Sequence, residues 1–151
     1  MTSTEYINSI MMSIEGFLGT YPCNMIPKPN KNLSLNSMII NLDTSWESGS
    51  HWVGIVVENK KNMVHYYDPL GAKISNKYLS KFVNKYKHVY CNRLMIQPVD
   101  SVHCGVYCIA FILHSVKNGV SITNFNNMFC KTGLASLFND EIAVSYIVNN
   151  W

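Results

Sequence analysis

Two short stretches of this chain carry residue types that together could perform nucleophilic chemistry. The first is a pair of β-branched and aromatic runs, His51 to Glu58 and Asn62 to Asp68, separated by Asn59-Lys60-Lys61-Asn62. Such runs around an Asn- and Lys-rich connection predict a β-hairpin. A turn centred on Lys60 and Lys61 pairs residues symmetrically about that dipeptide and places Asp68 opposite Val53. His51 and Val53 share a face of their strand, so Asp68 becomes the diagonal cross-strand neighbour of His51, within hydrogen-bonding reach. A slip of one residue would separate them onto opposite faces, so the pairing depends on the register. A carboxylate against an imidazole fixes its tautomer and stabilises the imidazolium, the supporting half of a nucleophilic site.

The other half is Cys104. Asp100 and Ser101 are both good helix N-cap residues, and either puts Cys104 in the first turn of the apolar segment Cys104 to Val116. There the free backbone N–H groups and the helix dipole favour a thiolate. Gly105 leaves room for another backbone to approach, and Gln97, at the end of a strand, is a neutral donor suited to polarising a carbonyl oxygen. A Cys/His/Asp set with an amide donor is what thiol acyl transfer requires. Taken singly, each residue has an ordinary reading too. A lone cysteine in a buried helix is usually core, and a histidine beside a tryptophan is usually packing. Cys108 is assigned to the core, His103 to the surface, and His65 to the face of the hairpin opposite His51.

The elements that must position these groups follow from the hydrophobic pattern. Thr4 to Leu18 has helical spacing, Gly19 to Ser37 reads as a Pro- and Asn-rich surface loop, and Met38 to Leu42 as a short strand. After the hairpin come a helix over Ser75 to Tyr86, a strand over Val89 to Ile96, the buried helix, and helical pieces over Ile122 to Phe129 and Leu134 to Val148. Lys73, Lys77, Lys81 and Lys85 recur at steps of four along one side of the first of these helices. The order predicts an α+β domain with a central mixed sheet covered by helices.

Composition agrees with one globular domain over 1–151, since 48% of residues are hydrophobic and only 14% charged. The longest apolar stretch falls far short of a bilayer span, which predicts no membrane segment. The first residues lack the pattern of a secretory signal, so a non-secreted protein is expected. Five cysteines with no CxxC pair argue for reduced thiols and neither a disulfide framework nor a bound metal.

The spacings Gly49-Ser50-His51-Trp52, Tyr67-Asp68-Pro69-Leu70-Gly71, and Gln97 with Cys104-Gly105 seven positions later resemble the adenovirus-type cysteine endopeptidases (adenain) and their clan, which includes the SUMO-specific proteases. Phe17-Leu18-Gly19-Thr20-Tyr21, followed by Pro27, is similar to the viral branch in particular. The resemblance implies a papain-like fold with permuted catalytic order. It makes His51 the general base, Asp68 its orienting acid, Cys104 the nucleophile, and Gln97 the oxyanion donor. Gly49, Trp52 and Gly105 would then border the substrate cleft. It also implies cleavage of viral precursor and capsid proteins at small, Gly-containing sites during virion maturation, by a monomer acting in the virion and in host cytoplasm or nucleus. The chemistry itself needs no cofactor. Activation by DNA, through the Lys73/Lys77/Lys81/Lys85 ridge, and by a viral peptide disulfide-bonded to Cys91 would follow from the family, although Cys91 lies closer to Gln97 than the family spacing has it. The rival readings are an isopeptidase for ubiquitin-like modifiers and a non-catalytic DNA- or capsid-associated module.

Overall fold

The computed structural model describes residues 2–131 and 134–151. Its centre is a five-stranded sheet in sequence order: β1 (Phe17–Pro22), β2 (Leu35–Asn41), β3 (Trp52–Glu58), β4 (Met63–Tyr67) and β5 (His88–Cys91). The outer pairs β1/β2 and β4/β5 are parallel and the inner pairs antiparallel, so the sheet is mixed, as expected. Side chains alternate along the inner strands between two apolar layers. Ile39, Trp52, Val56 and Tyr67 pack with α1 (Thr4–Met11), α3 (Cys104–Asn118) and α5 (Asn139–Asn150). Met38, Ile40, Val53, Ile55 and Tyr66 pack under α2 (Lys77–Val83). Burial on both faces explains why β3 reads as a nearly unbroken apolar run. At Gly54 a Cβ would sit in ordinary contact with Cys108 Cβ at 3.5 Å, so it is a side chain larger than alanine that would push α3 away from β3.

The hairpin forms in the expected register, with Gly54 opposite Tyr67 and Ile55 opposite Tyr66. Its turn is a short 3-10 segment, Asn59–Lys61, closed by Asn62 in the left-handed region at φ 52°, a conformation asparagine tolerates better than most residues.

Several element boundaries differ from the sequence reading. The first helix ends at Met11 rather than Leu18. Gly16, at φ +80°, turns the chain so tightly against β2 that a Cβ would lie 2.4 Å from the Leu35 carbonyl oxygen, and the following apolar residues enter the sheet as β1. The stretch expected to be one loop, Gly19 to Ser37, thus holds most of β1, a 3-10 turn at Cys23–Met25 and the start of β2. The helix expected over Ser75 to Tyr86 is the shorter α2, because Asn76 caps it by accepting from Tyr78 and Leu79 N–H. As a result only Lys77 and Lys81 of the supposed ridge are helical, and Lys73 and Lys85 flank the helix. The strand expected over Val89 to Ile96 is β5, ending at Cys91, after which Asn92 directs the chain into a loop. Ile122 to Phe129 shortens to α4 (Ile122–Asn126), and Leu134 to Val148 divides into a 3-10 turn, Leu134–Phe138, and α5. No helix among the described residues is long and apolar enough to cross a membrane.

Candidate active site

His51 and Asp68 lie at the end of the hairpin remote from its turn, one residue outside β3 and β4. The His51 carbonyl accepts the Leu42 N–H at 2.9 Å, which extends the β2/β3 pairing and fixes the backbone under the imidazole. His51 Nε2 and Asp68 Oδ1 are 2.8 Å apart, and both side chains are largely withdrawn from solvent. With Nε2 engaged, Nδ1 is the ring nitrogen left to face Cys104, the second side chain that acts on the His51 proton. The register argument thus carries through to a real contact.

The carboxylate is held from behind. Asp68 Oδ1 also accepts the Leu70 N–H at 2.8 Å, and the Gly71 N–H closes the Asp68-Pro69-Leu70-Gly71 turn onto the Asp68 carbonyl at 2.8 Å. Gly71 sits at φ +68°, and a Cβ there would come within 2.6 Å of the Leu94 carbonyl carbon, so only glycine fits the turn as it stands. Asn92 Nδ2 donates to the Asp68 carbonyl, Asn126 Nδ2 donates to Asn92 Oδ1, and the Tyr67 hydroxyl donates to Asn126 Oδ1. These groups are buried and mutually satisfied, which makes a rigid support of them.

Cys104 is the first residue of α3. The N-cap position belongs to His103, which makes no side-chain capping bond, rather than to Asp100 or Ser101 as expected. The consequence for Cys104 is unchanged, since its thiol sits where the helix has unpaired N–H groups. Burial pushes the thiol up, but the hydrogen bond from His51, the Trp52 and Gly105 backbone N–H groups and the imidazolium charge together bring it below its ordinary value. The reverse holds for His51. Burial alone would pull it down, but hydrogen bonds to Asp68 and Cys104, with their negative charges, raise it to about 9. Cys108, one turn along, is fully buried and its thiol is pushed well up by desolvation, which leaves it inert.

The sign of these shifts sets a pH dependence. A raised histidine stays protonated until pH passes its folded value near 9, and a lowered thiol ionises before its ordinary value is reached, so the two shifts together favour a thiolate–imidazolium pair. For a reaction that uses this pair, the expected kcat/KM profile rises on the acid side as Cys104 ionises and falls with an alkaline limb near pH 9, where His51 loses its proton. An alkaline limb near 6.5, the ordinary histidine value, would contradict the pairing.

Gln97 is buried and close in the fold to the Asp68 turn, since the Ile96 and Gln97 N–H groups both donate to the Pro69 carbonyl, at 2.9 and 3.0 Å. Its Nε2 donates to the Ser101 carbonyl at 2.8 Å, and Oε1 has no hydrogen-bond partner among the described residues. The amide orientation is therefore set: exchanging N and O would point one carbonyl oxygen at another. One N–H of Gln97 has no partner among the described residues.

Trp52 and Gly105 face a common occupant. The Trp52 indole N–H donates to the Thr2 carbonyl at 2.8 Å, and a Cβ on Gly105 would meet Thr2 Cβ at 2.7 Å. Gly49, at φ +87°, and Trp52 border a polar cleft of about 510 Å³ that Thr2 also lines. Of the remaining candidates, Lys85 lines a different cleft of about 720 Å³ together with Lys28, Lys31 and Lys60. Cys91 is a free, half-buried thiol at the end of β5, pushed up by burial against the opposing pull of Arg93. His65 is spent on Glu58 Oε2 at 2.7 Å. His103 is exposed, as expected, and its Nδ1 lies 3.1 Å from Asp140 Oδ2. The buried asparagines and Asp140 were not anticipated. With eighteen asparagines in the chain, nothing in the sequence marks Asn92, Asn126 or Asn139 as special.

Residues 24–144 match the model of the Ulp1 protease family, C-terminal catalytic domain (Peptidase_C48). Among curated proteins, the protease of bovine adenovirus 7 is 28% identical over 123 residues, 69% of this chain and 58% of that protein. The protease of ovine adenovirus D serotype 7 is 26% identical over 140 residues, 79% of this chain and 68% of its own. The chain thus spans little more than half the length of the first of these relatives. In fold, it is similar to the ASFV pS273R protease, with a TM-score of 0.58 at 17% identity over 83% of this chain and 45% of the other. The family model covers four-fifths of the chain, including every member of the His51/Asp68/Gln97/Cys104 cluster, and the resemblance seen in the sequence motifs stands: the chain belongs to the Ulp1 protease family of cysteine peptidases.

Proposed function

We propose that the chain is a cysteine endopeptidase that cuts viral precursor or capsid proteins at small, Gly-containing sites during virion maturation. The observation that carries this is the His51 imidazole, bonded through Nε2 to Asp68 at 2.8 Å and electrostatically coupled to Cys104, the first residue of a buried helix. In the proposed reaction the Cys104 thiolate attacks the scissile carbonyl carbon, and the new oxyanion is received by the free Gln97 N–H and the Cys104 backbone N–H. The His51 imidazolium gives its proton to the leaving amine as the C–N bond breaks, leaving a thioester on Cys104. Neutral His51 then takes a proton from water, the hydroxide adds to the thioester, and the thiolate departs.

The glycine preference follows from the family resemblance; beside Cys104, the missing side chain of Gly105 leaves room for a main chain to approach, as Thr2, which accepts the Trp52 indole N–H, does in this structure. The viral reading is supported by the adenovirus proteases among the relatives. DNA at the dispersed Lys73, Lys77, Lys81 and Lys85 and a peptide linked to Cys91 are the proposed activators, and protein substrates are the proposed partners of a monomeric enzyme.

The test is cleavage of fluorogenic peptides with Gly, Ala or Leu on the acyl side, with and without duplex DNA and viral peptides, in parallel with a ubiquitin-like vinyl sulfone probe. Gly-selective peptide turnover supports the proposal. Labelling by the modifier probe without peptide cleavage would favour the isopeptidase, and full activity of Cys91→Ser with every peptide would remove the disulfide-linked activator.

A further inference from the structure

The loop from Gln97 to His103 carries the amide donor at one end and leads into the nucleophile at the other, and it is held by a side chain from a distant element. Asp140 stands in the first turn of α5, where a carboxylate is favoured by the helix dipole. Its Oδ1 accepts the Ser101 hydroxyl at 2.9 Å and the Tyr107 hydroxyl at 2.7 Å, and its Oδ2 faces His103 Nδ1 at 3.1 Å. Ser101 is the hub of the loop: its Oγ also accepts the His103 N–H at 3.2 Å, and its carbonyl accepts Gln97 Nε2 at 2.8 Å. One carboxylate therefore grips residues on both sides of Cys104, and through Ser101 it fixes the residue that sets the Gln97 amide. The neighbouring Asn139 adds a second tie, donating Nδ2 to the Ile96 carbonyl at 2.8 Å.

We propose that Asp140 is a positioning residue for the oxyanion side of this site, holding the Ser101 carbonyl so that Gln97 keeps one N–H aimed at the reacting carbonyl oxygen. This rests on the peptidase reading above. The physical reason is that preorganised donors are effective only if they do not reorient as charge develops. A primary amide on a flexible side chain, in a loop without regular structure, lacks that rigidity unless something external supplies it. The buried and unpartnered Gln97 Oε1 has the same meaning: the amide is held by its nitrogen alone, so whatever fixes the Ser101 carbonyl fixes the amide.

The roles of the two carboxylates separate experimentally. Asp68 acts on the imidazole and hence on the thiolate, whereas Asp140 acts on the oxyanion donor. Alkylation of Cys104 by iodoacetamide forms no oxyanion, but a peptide aldehyde, which adds the thiol to give a hemithioacetal, does present an oxygen to the same donors. In Asp140→Ala the expected result is a fall in kcat of about ten- to a hundredfold, KM within about threefold, proportionally weaker aldehyde inhibition, and an unchanged rate of Cys104 alkylation across pH. Asp140→Asn retains Oδ1 as an acceptor for Ser101 and Tyr107, so it should recover most of the activity. Should Asp140→Ala fail to fold, Ser101→Ala removes one of the Asp140 contacts together with the acceptor of the His103 N–H, and a several-fold loss of the same pattern is expected.

The proposal is overturned if folded Asp140→Ala, or Ser101→Ala in its place, turns over like the parent. It is equally overturned if alkylation falls in step with kcat, or if Asp140→Asn is as impaired as Asp140→Ala. Absence of turnover and of aldehyde binding in the unsubstituted protein would instead overturn the peptidase reading and this inference with it.

Discussion

Replacing Cys104 with alanine should abolish peptide turnover while leaving the fold intact. The residue is 4% exposed and opens α3, so removing one atom from a small side chain there creates no large void. A nucleophile has no substitute within reach, because Cys108 is buried on the next turn with its thiol pushed well up and its Sγ directed at the Trp52 carbonyl at 3.5 Å. Loss of a nucleophile in an acyl-transfer triad costs on the order of 10⁶ in kcat, far below detection for an ordinary peptidase. Thermal unfolding should move by a few degrees at most. Iodoacetamide labelling followed by peptide mapping gives the complementary readout. In the parent protein Cys104 should be labelled at lower pH than ordinary thiols, which ionise near about 8.5, and Cys91, held up by burial, should lag behind. Wild-type turnover from Cys104→Ala, or equal labelling of all five cysteines, would refute the assignment.

What the sequence reveals of this site, and what it conceals, divides along the range of the interactions. The His51–Asp68 contact was legible because it depends only on a hairpin register, a local property fixed by a four-residue turn and alternating side chains. The start of α3 was legible because its apolar run is long and abrupt, even though the capping residue was misplaced by two or three positions. The first strand was not legible. Phe17 and Leu18 continue the helical spacing of α1, and only the contact of Gly16 with Leu35, nineteen residues away, decides that the chain turns there. The supports of the site were concealed for the same reason. Asn92, Asn126 and Asp140 act through partners tens of residues distant, and a polar residue buried by tertiary contacts looks in sequence like one that is merely solvated.

Asp68 should prove the second most sensitive position, and the comparison of two substitutions there separates geometry from charge. In Asp68→Ala the imidazole loses the carboxylate bonded to its Nε2 and the Leu70 N–H loses its acceptor. The ring is then free to turn, and the turn that carries Pro69, on which Gln97 depends, loosens with it. A fall in kcat of about 10³ to 10⁴ is expected, by the precedent of triads whose orienting acid is removed. Asp68→Asn is a milder change for a specific reason. A single oxygen, Oδ1, serves both His51 and Leu70, and an asparagine can place its own carbonyl oxygen there, keeping both bonds and losing only the charge. The charge is one of the causes that raise His51 to about 9, so its loss should draw the alkaline limb of kcat/KM downward and move the onset of Cys104 alkylation upward in pH. The fold should report the same change. A histidine raised above its unfolded value stabilises the native state fully below about 6.5, and that contribution disappears as pH climbs through about 9. The difference in Tm between parent and Asp68→Asn should accordingly be largest at pH 6 and shrink toward pH 9. An alkaline limb that stays near 9 in Asp68→Asn would mean that Cys104, and not Asp68, holds the proton on His51.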